Sequence, residues 1–164
     1  MKRLLLMRHA KSSWGDPSLA DFERPLNERG RKAAPLVGRF MRKQRLRPDL
    51  ILSSPAERAR QTAALVIESA GLAAPLRYDE RIYEATPSRL AEVVSQVEET
   101  VGELLLVGHN PGLAGLLELL AGESRHVPTA ALARVALDVE KWGRLREGVG
   151  RVELFVRPKD LDGE

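Results

Sequence analysis

Cysteine is the first residue type that this sequence lacks: its 164 residues contain none. Disulfide bonds, thiolate nucleophiles and cysteine-based zinc sites are therefore excluded. Long apolar runs are also absent, since none approaches the roughly 20 residues of a membrane-spanning helix. The short run Leu4 to Met7 meets charge at Arg8, and no small-residue cleavage site follows it, so no signal peptide is predicted. We therefore expect a cytoplasmic protein.

Aromatic residues are few as well, and the net charge is small. Aromatic residues make up 4% of the chain, and 26 Lys and Arg against 23 Asp and Glu leave a formal net charge of +3. A surface for nucleic acid is not indicated by these values, and no membrane partner is expected. Residues 39–47 form the one basic cluster, which we interpret as a solvated helix end, with attraction of an acidic partner as the alternative.

The remaining composition is that of an ordinary globular protein. Hydrophobic residues account for 43% of the chain and charged residues for 30%, which are typical values for a folded domain. The length favours one domain spanning residues 1–164.

Apolar runs of strand length alternate with helical patterns along the chain. Residues 4–7 form a continuous apolar run of the kind found in strands buried on both faces, and residues 49–53 and 103–108, whose central residues are apolar, predict two more such strands. Residues 131–139 and 151–156 predict two final strands. The pattern predicts an α/β fold: a three-layer α/β/α sandwich with a mostly parallel central sheet and an antiparallel edge strand.

The predicted helices begin at capping residues. Asn27 and the pair Thr86-Pro87 are typical N-terminal signals. Ser54 to Glu57 has the form of a capping box with Pro55 at the first helical position, so we expect a helix from Pro55 to about residue 70.

Basic residues and histidines follow three of the predicted strands. Arg8-His9 ends the first, Arg58 lies near the start of the helix after the second, and His109 ends the third. Ligands bind beyond the carboxyl ends of the strands in open α/β sheets, so we expect these side chains to converge on one pocket. Two fixed positive charges and two imidazoles predict a site for an anion with a nucleophile inside it.

These residue types suit phosphoryl transfer. The transferred group spreads negative charge over three oxygens, so catalysis consists mainly of positioning and charge neutralisation. Arg8 and Arg58 can each bind two oxygens in a fork. Their charges are expected to hold His9 neutral, as a nucleophilic imidazole must be.

No metal or other cofactor is predicted. A metal site needs at least three ligands, and only His9, His109 and acids such as Asp16 or Asp21 are candidates. None of them shows the spacing of a ligand set.

Four stretches resemble motifs of the histidine phosphatase (phosphoglycerate mutase-like) superfamily, and they occur in the order of that family. They are Arg8-His9-Ala10, Arg24-Pro25-Leu26 through Gly30, Arg58-Ala59-Arg60-Gln61-Thr62 and Gly108-His109-Asn110-Pro111. The chain is most similar to the short SixA-type phosphohistidine phosphatase branch. One departure is Ala10 where the family motif has Gly, which removes no catalytic group.

The resemblance implies roles for the matched residues. His9 would be phosphorylated on a ring nitrogen, and Arg8, Arg58 and His109 would bind the phosphoryl oxygens. The chain would then be a metal-independent phosphatase with a covalent phosphohistidine intermediate on His9.

Two assignments stay open. Arg24 would line the mouth of the site, unless it pairs with Asp21 or Glu28 instead. The general acid of larger relatives is a Glu between the Arg58 motif and the His109 motif, and Glu84 is the nearest match. Asp16 and Asp21 in the first loop are the other options, and an absent acid is a further one.

The expected substrate is phosphohistidine on a signalling or phosphotransfer protein. The interval from Ile82 to Glu103 has room for one helix but little for the large inserted lid of bigger relatives, which favours a protein-borne substrate. A phosphomonoesterase for small phosphate esters is the alternative within the superfamily. A non-catalytic phosphate-binding signalling domain is the alternative from a different class.

Overall fold

Strands and helices alternate along residues 1–161, the part of the chain that the structure, a computed structural model, describes. The strands are β1 (Lys2–Arg8), β2 (Leu50–Ser53), β3 (Leu76–Tyr78), β4 (Glu103–Gly108), β5 (Leu132–Leu137) and β6 (Gly150–Val156). The helices are α1 (Glu28–Lys43), α2 (Glu57–Ala70), α3 (Pro87–Ser95) and α4 (Gly112–Ala121).

The six strands form one mixed sheet in the order β3-β2-β4-β1-β5-β6. Strands β1 to β4 are parallel to one another. Strand β5 is antiparallel to β1, and β6 is antiparallel to β5, so β6 runs in the direction of β1. The predicted α/β class with a mostly parallel sheet is confirmed. The strand of opposite direction, β5, lies second from the edge and not at the edge itself.

The core lies on both faces of the sheet, which explains the continuous apolar strands. In β1, Leu4 and Leu6 contact the side of the sheet covered by α3 and α4. Leu5 and Met7 point to the opposite side, which α1 and α2 cover. Because successive strand residues face opposite sides, this arrangement gives the predicted three layers.

Two of the predicted helix starts are confirmed and one is wrong. The side chain of Asn27 accepts a hydrogen bond from the Gly30 amide at the start of α1, and Thr86 caps α3 in the same way. Helix α2, by contrast, begins at Glu57, and its N-cap residue, Ala56, makes no side-chain capping bond. The Ser54 hydroxyl is occupied elsewhere, by a histidine of the site described below.

Among residues 1–161, no helix has both the length and the apolar character needed to cross a membrane.

Candidate active site

The carboxyl ends of adjacent strands bring the two histidines together. Strand β1, which His9 follows, lies beside β4, which His109 follows. The His9 amide donates a 3.0 Å hydrogen bond to the Gly108 carbonyl, and the two imidazole centroids lie 5.0 Å apart. His9, His109 and Arg58 are each less than a tenth exposed. The predicted convergence of these residues is therefore present in the structure.

A backbone carbonyl fixes the orientation of the His9 ring. Its Nδ1 atom lies 2.7 Å from the Ala10 carbonyl oxygen. A carbonyl can only accept, so Nδ1 carries the proton and Nε2 keeps its lone pair. The pKa of His9 is lowered to about 4, first by burial and then by the charges of Arg58, Arg8 and Arg24, against the raising effect of that carbonyl. The ring is neutral as predicted, but burial contributes more than the arginines.

A serine hydroxyl orients the second histidine. Nε2 of His109 lies 2.7 Å from Oγ of Ser54, which also accepts a hydrogen bond from the Ala56 amide at 3.2 Å. Burial, followed by the charges of His9 and Arg58, lowers the pKa of His109 to about 3. When the Ser54 hydroxyl donates to Nε2, the ring proton resides on Nδ1. That atom is buried and has no partner within residues 1–161, so it can donate to a bound anion.

The two arginines of the site have unused donors. Nη1 of Arg8 donates to the Val127 carbonyl at 3.1 Å, and Nη1 of Arg58 donates to the Asp21 carbonyl at 2.8 Å. The Nε atoms of both arginines are buried without a hydrogen-bond partner in the described chain. Buried donors in native proteins nearly always have partners. Unpaired guanidinium nitrogens beside two imidazoles therefore indicate a binding place for an anionic acceptor.

The carboxylate of Asp21 lies against the arginine cluster. Its Oδ2 atom accepts from Nη2 of Arg58 at 3.1 Å and from the Tyr83 hydroxyl at 2.5 Å. Its Oδ1 atom accepts from Nη2 of Arg24 at 3.0 Å. Partial burial acts to raise the pKa of Asp21, but the hydrogen bonds from Tyr83, Arg24 and Arg58 outweigh it and lower the pKa to about 2. Asp21 is therefore an anion at neutral pH.

Arg24 pairs with Asp21 and not with Glu28. Nη1 of Arg24 also donates to the Ser12 hydroxyl at 2.7 Å, and its guanidinium carbon lies 3.5 Å from the ring centroid of Trp14. These contacts tie the loop that carries Asp21 to the segment after β1. The structure therefore shows the expected alternative in which Arg24 forms an ion pair with Asp21.

The other two candidate acids lie apart from the arginines. Glu84 is exposed and has a positive φ of 53°. Its carboxylate helps to raise the pKa of Tyr83 to about 12, after burial and Asp21. Asp16 is exposed and accepts from the amide and hydroxyl of Ser18 at 3.0 and 2.6 Å, as in a local turn. Neither acid makes a hydrogen bond or ion pair with Arg8 or Arg58 in residues 1–161.

Two positioning contacts were not anticipated from the sequence. The Thr62 hydroxyl accepts from the Ala10 amide at 2.9 Å and donates to the Arg58 carbonyl at 2.7 Å, which joins the first motif to α2. Gly30 packs so closely on the backbone of Lys11 that no side chain fits there, since an added Cβ would lie 2.1 Å from the Lys11 carbonyl oxygen. Thr62 and Gly30 both fall inside the matched motifs, and this was the only feature of the sequence that could have indicated their structural roles.

The positive charge of the site comes from arginine. Within the described residues, no three or more His, Asp or Glu side chains are grouped so that they could hold a metal ion. Burial and then the charge of Arg58 lower the pKa of Arg8, as expected for two cations held close together.

Comparison with known proteins decides the family. The model of the histidine phosphatase superfamily (branch 1) matches residues 4–105. The chain belongs to this superfamily. The family identified from the four motifs is thus confirmed, although the His109 motif lies beyond the matched segment and is placed by the fold.

The similarity to known proteins covers most of this superfamily member's length. An uncharacterized protein of Mycobacterium tuberculosis is 43% identical over 118 residues, which cover 72% of each chain. A structure from Agrobacterium tumefaciens, provisionally designated phosphohistidine phosphatase SixA, is 33% identical with a TM-score of 0.80, covering 96% of this chain and 98% of that chain. The protein histidine phosphatase SixA complexed with tungstate shares the fold at 22% identity, with a TM-score of 0.84 over 98% of this chain and 99% of that chain.

Proposed function

We propose that this protein is a metal-independent phosphatase that forms a covalent phosphohistidine intermediate on His9. One observation carries the proposal: the lone-pair nitrogen of His9 belongs to a buried cluster with three unpaired donors. Those donors are Nε of Arg8, Nε of Arg58 and Nδ1 of His109. A nucleophile among donors for developing negative charge is the arrangement that phosphoryl transfer requires.

The reaction has two displacements. In the first, Nε2 of His9 attacks phosphorus, the bond from phosphorus to the leaving atom breaks, and the leaving group departs with the electron pair. In the second, water attacks the phosphorylated His9, the phosphorus–nitrogen bond breaks, and inorganic phosphate forms. Arg8, Arg58 and His109 donate to the equatorial oxygens in both steps, where the charges of the two arginines and the hydrogen bonds of all three offset the charge on the transferred group. Nδ1 of His9 keeps its proton and donates it in a hydrogen bond to the Ala10 carbonyl throughout.

The proposed substrate is phosphohistidine on another protein. The Asp21 side chain, which covers Arg58, is 45% exposed, whereas Arg58 is 8% exposed, so a side chain that protrudes from a partner would reach Arg58 by moving Asp21 aside. Trp14 and Phe22, on the same loop, are 76% and 41% exposed. Exposed aromatic groups beside a site are typical of protein contact surfaces. The Agrobacterium relative, provisionally designated a phosphohistidine phosphatase, supports the same substrate class.

The choice of substrate also bears on the general acid. An alkoxide leaving group needs a proton in the transition state, whereas a protonated phosphohistidine releases neutral imidazole, whose conjugate acid has a pKa of about 6.5. Among the candidate acids, Asp21 is the one in contact with Arg58. We propose that Asp21 supplies a proton when an ester is bound, because a phosphate on Arg58 would displace its carboxylate and raise its affinity for protons. Glu84 stays the alternative acid.

Labelling tests the nucleophile. Brief mixing with a labelled phosphohistidine peptide should leave acid-labile, alkali-stable phosphate on the wild-type protein and none on His9→Ala, which should stay folded. Label on a serine or an aspartate instead would disprove the assignment.

Comparison of substrates tests the substrate class. The phosphohistidine peptide should be hydrolysed with a higher kcat/KM than an aryl phosphate or any member of a panel of phosphorylated metabolites, and a chelator should leave all rates unchanged. A phosphorylated metabolite that is turned over far more efficiently would favour the small-molecule phosphomonoesterase. Tight phosphate binding without turnover of any substrate would favour a non-catalytic domain.

A further inference from the structure

A second basic pocket, with a volume of about 490 Å³, lies beside the candidate active site. None of the active-site residues lines it, and no Asp or Glu is among the residues that do. Its cationic and titratable lining consists of Lys11, Arg29, Lys32, His126, Arg157 and Lys159. A pocket of this size is within the range of sites that bind ligands, and its charge selects an anionic one.

The pocket is at the same edge of the sheet as His9. Lys11 follows His9 by two residues, and the pocket residues His126 and Pro128 flank Val127, whose carbonyl accepts from Arg8. Arg157 directly follows β6, which runs in the direction of β1 and lies two strands away from it. Neighbouring strands are about 4.8 Å apart, so the far wall of the pocket is roughly 10 Å from the strand that positions His9.

Part of the positive charge in this pocket is uncompensated. Lys11 and Arg29 form no ion pair with any residue between 1 and 161. Lys32 pairs with Glu28 at 3.4 Å, and Arg157 pairs with Asp160 at 2.8 Å. The exposed Lys32–Glu28 pair contributes little energy, whereas Arg157 binds both carboxylate oxygens of Asp160 and is held more firmly. An acidic ligand can therefore bind Lys11, Arg29 and Lys32 without breaking a strong native contact.

The basic cluster of residues 39–47, considered above for an acidic partner, is poorly placed for a molecule bound at His9. Helix α1 begins beside Lys11, where Gly30 packs on the Lys11 backbone, and ends at Lys43. Its 16 residues span about 24 Å at 1.5 Å per residue. The pocket is near the start of α1 and the cluster is at its far end.

We infer that this pocket binds an acidic segment of the protein whose phosphohistidine enters the active site; the inference rests on the proposed function. Spread over five lysine and arginine side chains, the positive charge exceeds what one phosphate needs. Leu36, Pro128 and Pro158 add apolar surface for the aliphatic parts of a peptide. Apart from His126, the lining has no aromatic ring on which a nucleotide base would stack. These features favour carboxylates on a polypeptide over a nucleotide.

Charge reversal on α1 provides the test, with a matched control on the same helix. Arg29→Glu/Lys32→Glu changes two exposed residues of the pocket, and Arg39→Glu/Arg42→Glu changes two exposed residues with the same spacing at the far end. The substrates are two phosphohistidine peptides, one with Glu and one with Gln at the third and fourth positions on either side of the phosphohistidine. An extended chain rises about 3.3 Å per residue, so these positions can reach the pocket.

At low salt, wild type and the control variant should hydrolyse the Glu peptide with a kcat/KM at least 10-fold higher than the Gln peptide. The pocket variant should lose this preference while keeping its rate on an aryl phosphate. Binding of the unphosphorylated Glu peptide, followed by fluorescence anisotropy, should likewise disappear in the pocket variant alone.

Three results would overturn the inference: no preference in wild type, a preference that survives in the pocket variant, or an equal loss in both variants. If the Glu peptide does not bind and calorimetry shows that inorganic pyrophosphate binds wild type but not the pocket variant, the pocket is reassigned to a small phosphorylated ligand. The anisotropy measurement needs no turnover, so a failure of the phosphatase proposal can be distinguished from a failure of this inference. In the first case the Glu peptide would still bind, but neither phosphohistidine peptide would be hydrolysed.

Discussion

The carboxylate of Asp21 lies 3.1 Å from the guanidinium of Arg58 and holds one of the donors that a phosphoryl group would use. The same carboxylate accepts from Tyr83 and Arg24, so the loop that carries it is tied to the arginines when no anion is bound. A phosphate that binds both Nε and Nη2 of Arg58 has to displace Asp21 from Nη2. Part of its binding free energy is therefore spent on breaking this ion pair.

Asp21→Asn should strengthen the binding of vanadate, a mimic of the pentacoordinate transition state. The neutral amide competes less for Arg58, and a half-exposed ion pair contributes up to about 1 kcal/mol, so inhibition should become about 2- to 5-fold tighter. Asp16→Asn is the control: it lies on the same loop, its carboxylate bonds only to Ser18, and the substitution should leave the inhibition constant unchanged. Weaker inhibition of Asp21→Asn would show that the carboxylate does not compete with the anion.

Ser54→Ala should lower turnover through the orientation of His109. The hydroxyl lies 2.7 Å from Nε2 of that ring, and its loss removes the group that keeps the ring proton on Nδ1. We expect kcat to fall about 10-fold, which corresponds to one hydrogen bond, with a change in the ¹⁵N shifts of His109. Ser53→Ala is the matched control, because Ser53 is equally buried and its hydroxyl bonds only to the Ser54 carbonyl. Equal kinetic effects would indicate a packing role alone.

Arg58→Ala should cost on the order of 100-fold in kcat, as expected for loss of a group that stabilises transition-state charge. Arg60→Ala should cost little, since the Arg60 guanidinium lies over the Tyr78 ring at 4.0 Å, away from the site. Steady-state kinetics on an aryl phosphate distinguishes the two. Similar losses from both substitutions would contradict the assignment of Arg58.

The protein should lose stability as the pH falls from about 6.5 toward 4. The pKa of His9 is lowered to about 4 and that of His109 to about 3, below the value of about 6.5 for an unfolded histidine. In this window the unfolded chain binds more protons, so the free energy of unfolding decreases as the pH falls. Asp21 adds to the loss only below about pH 3.9.

The pH dependence is measured by urea unfolding at several pH values. The slope should be on the order of 1 kcal/mol per pH unit for each buried histidine, and it should be smaller in His9→Gln. A slope between pH 6.5 and 4.5 that is the same in His9→Gln and in wild type would mean that His9 is not the group responsible.

The sequence predicted the strands and the residues that follow them, because buried parallel strands are continuous apolar runs and their carboxyl ends share an edge. It predicted less well where a side chain had two possible partners. Ser54 fits a capping box, but a histidine more than 50 positions away competes for its hydroxyl. The sequence favoured Glu84 as the acid and offered Asp21 only as another option, whereas the path of the first loop puts Asp21 on Arg58. Such choices depend on tertiary contacts that local spacing does not encode.

The position of β1 in the middle of the sheet has a consequence for exchange with solvent. Its amides are bonded to β4 on one side and β5 on the other, whereas most of residues 14–23 are exposed. In deuterated water, the Asp21 segment would exchange by local opening, and β1 would exchange only when the sheet itself opens. His9 directly follows this strand and its own amide is bonded to Gly108, so we expect the backbone of the nucleophile to exchange more slowly than the loop that carries Asp21.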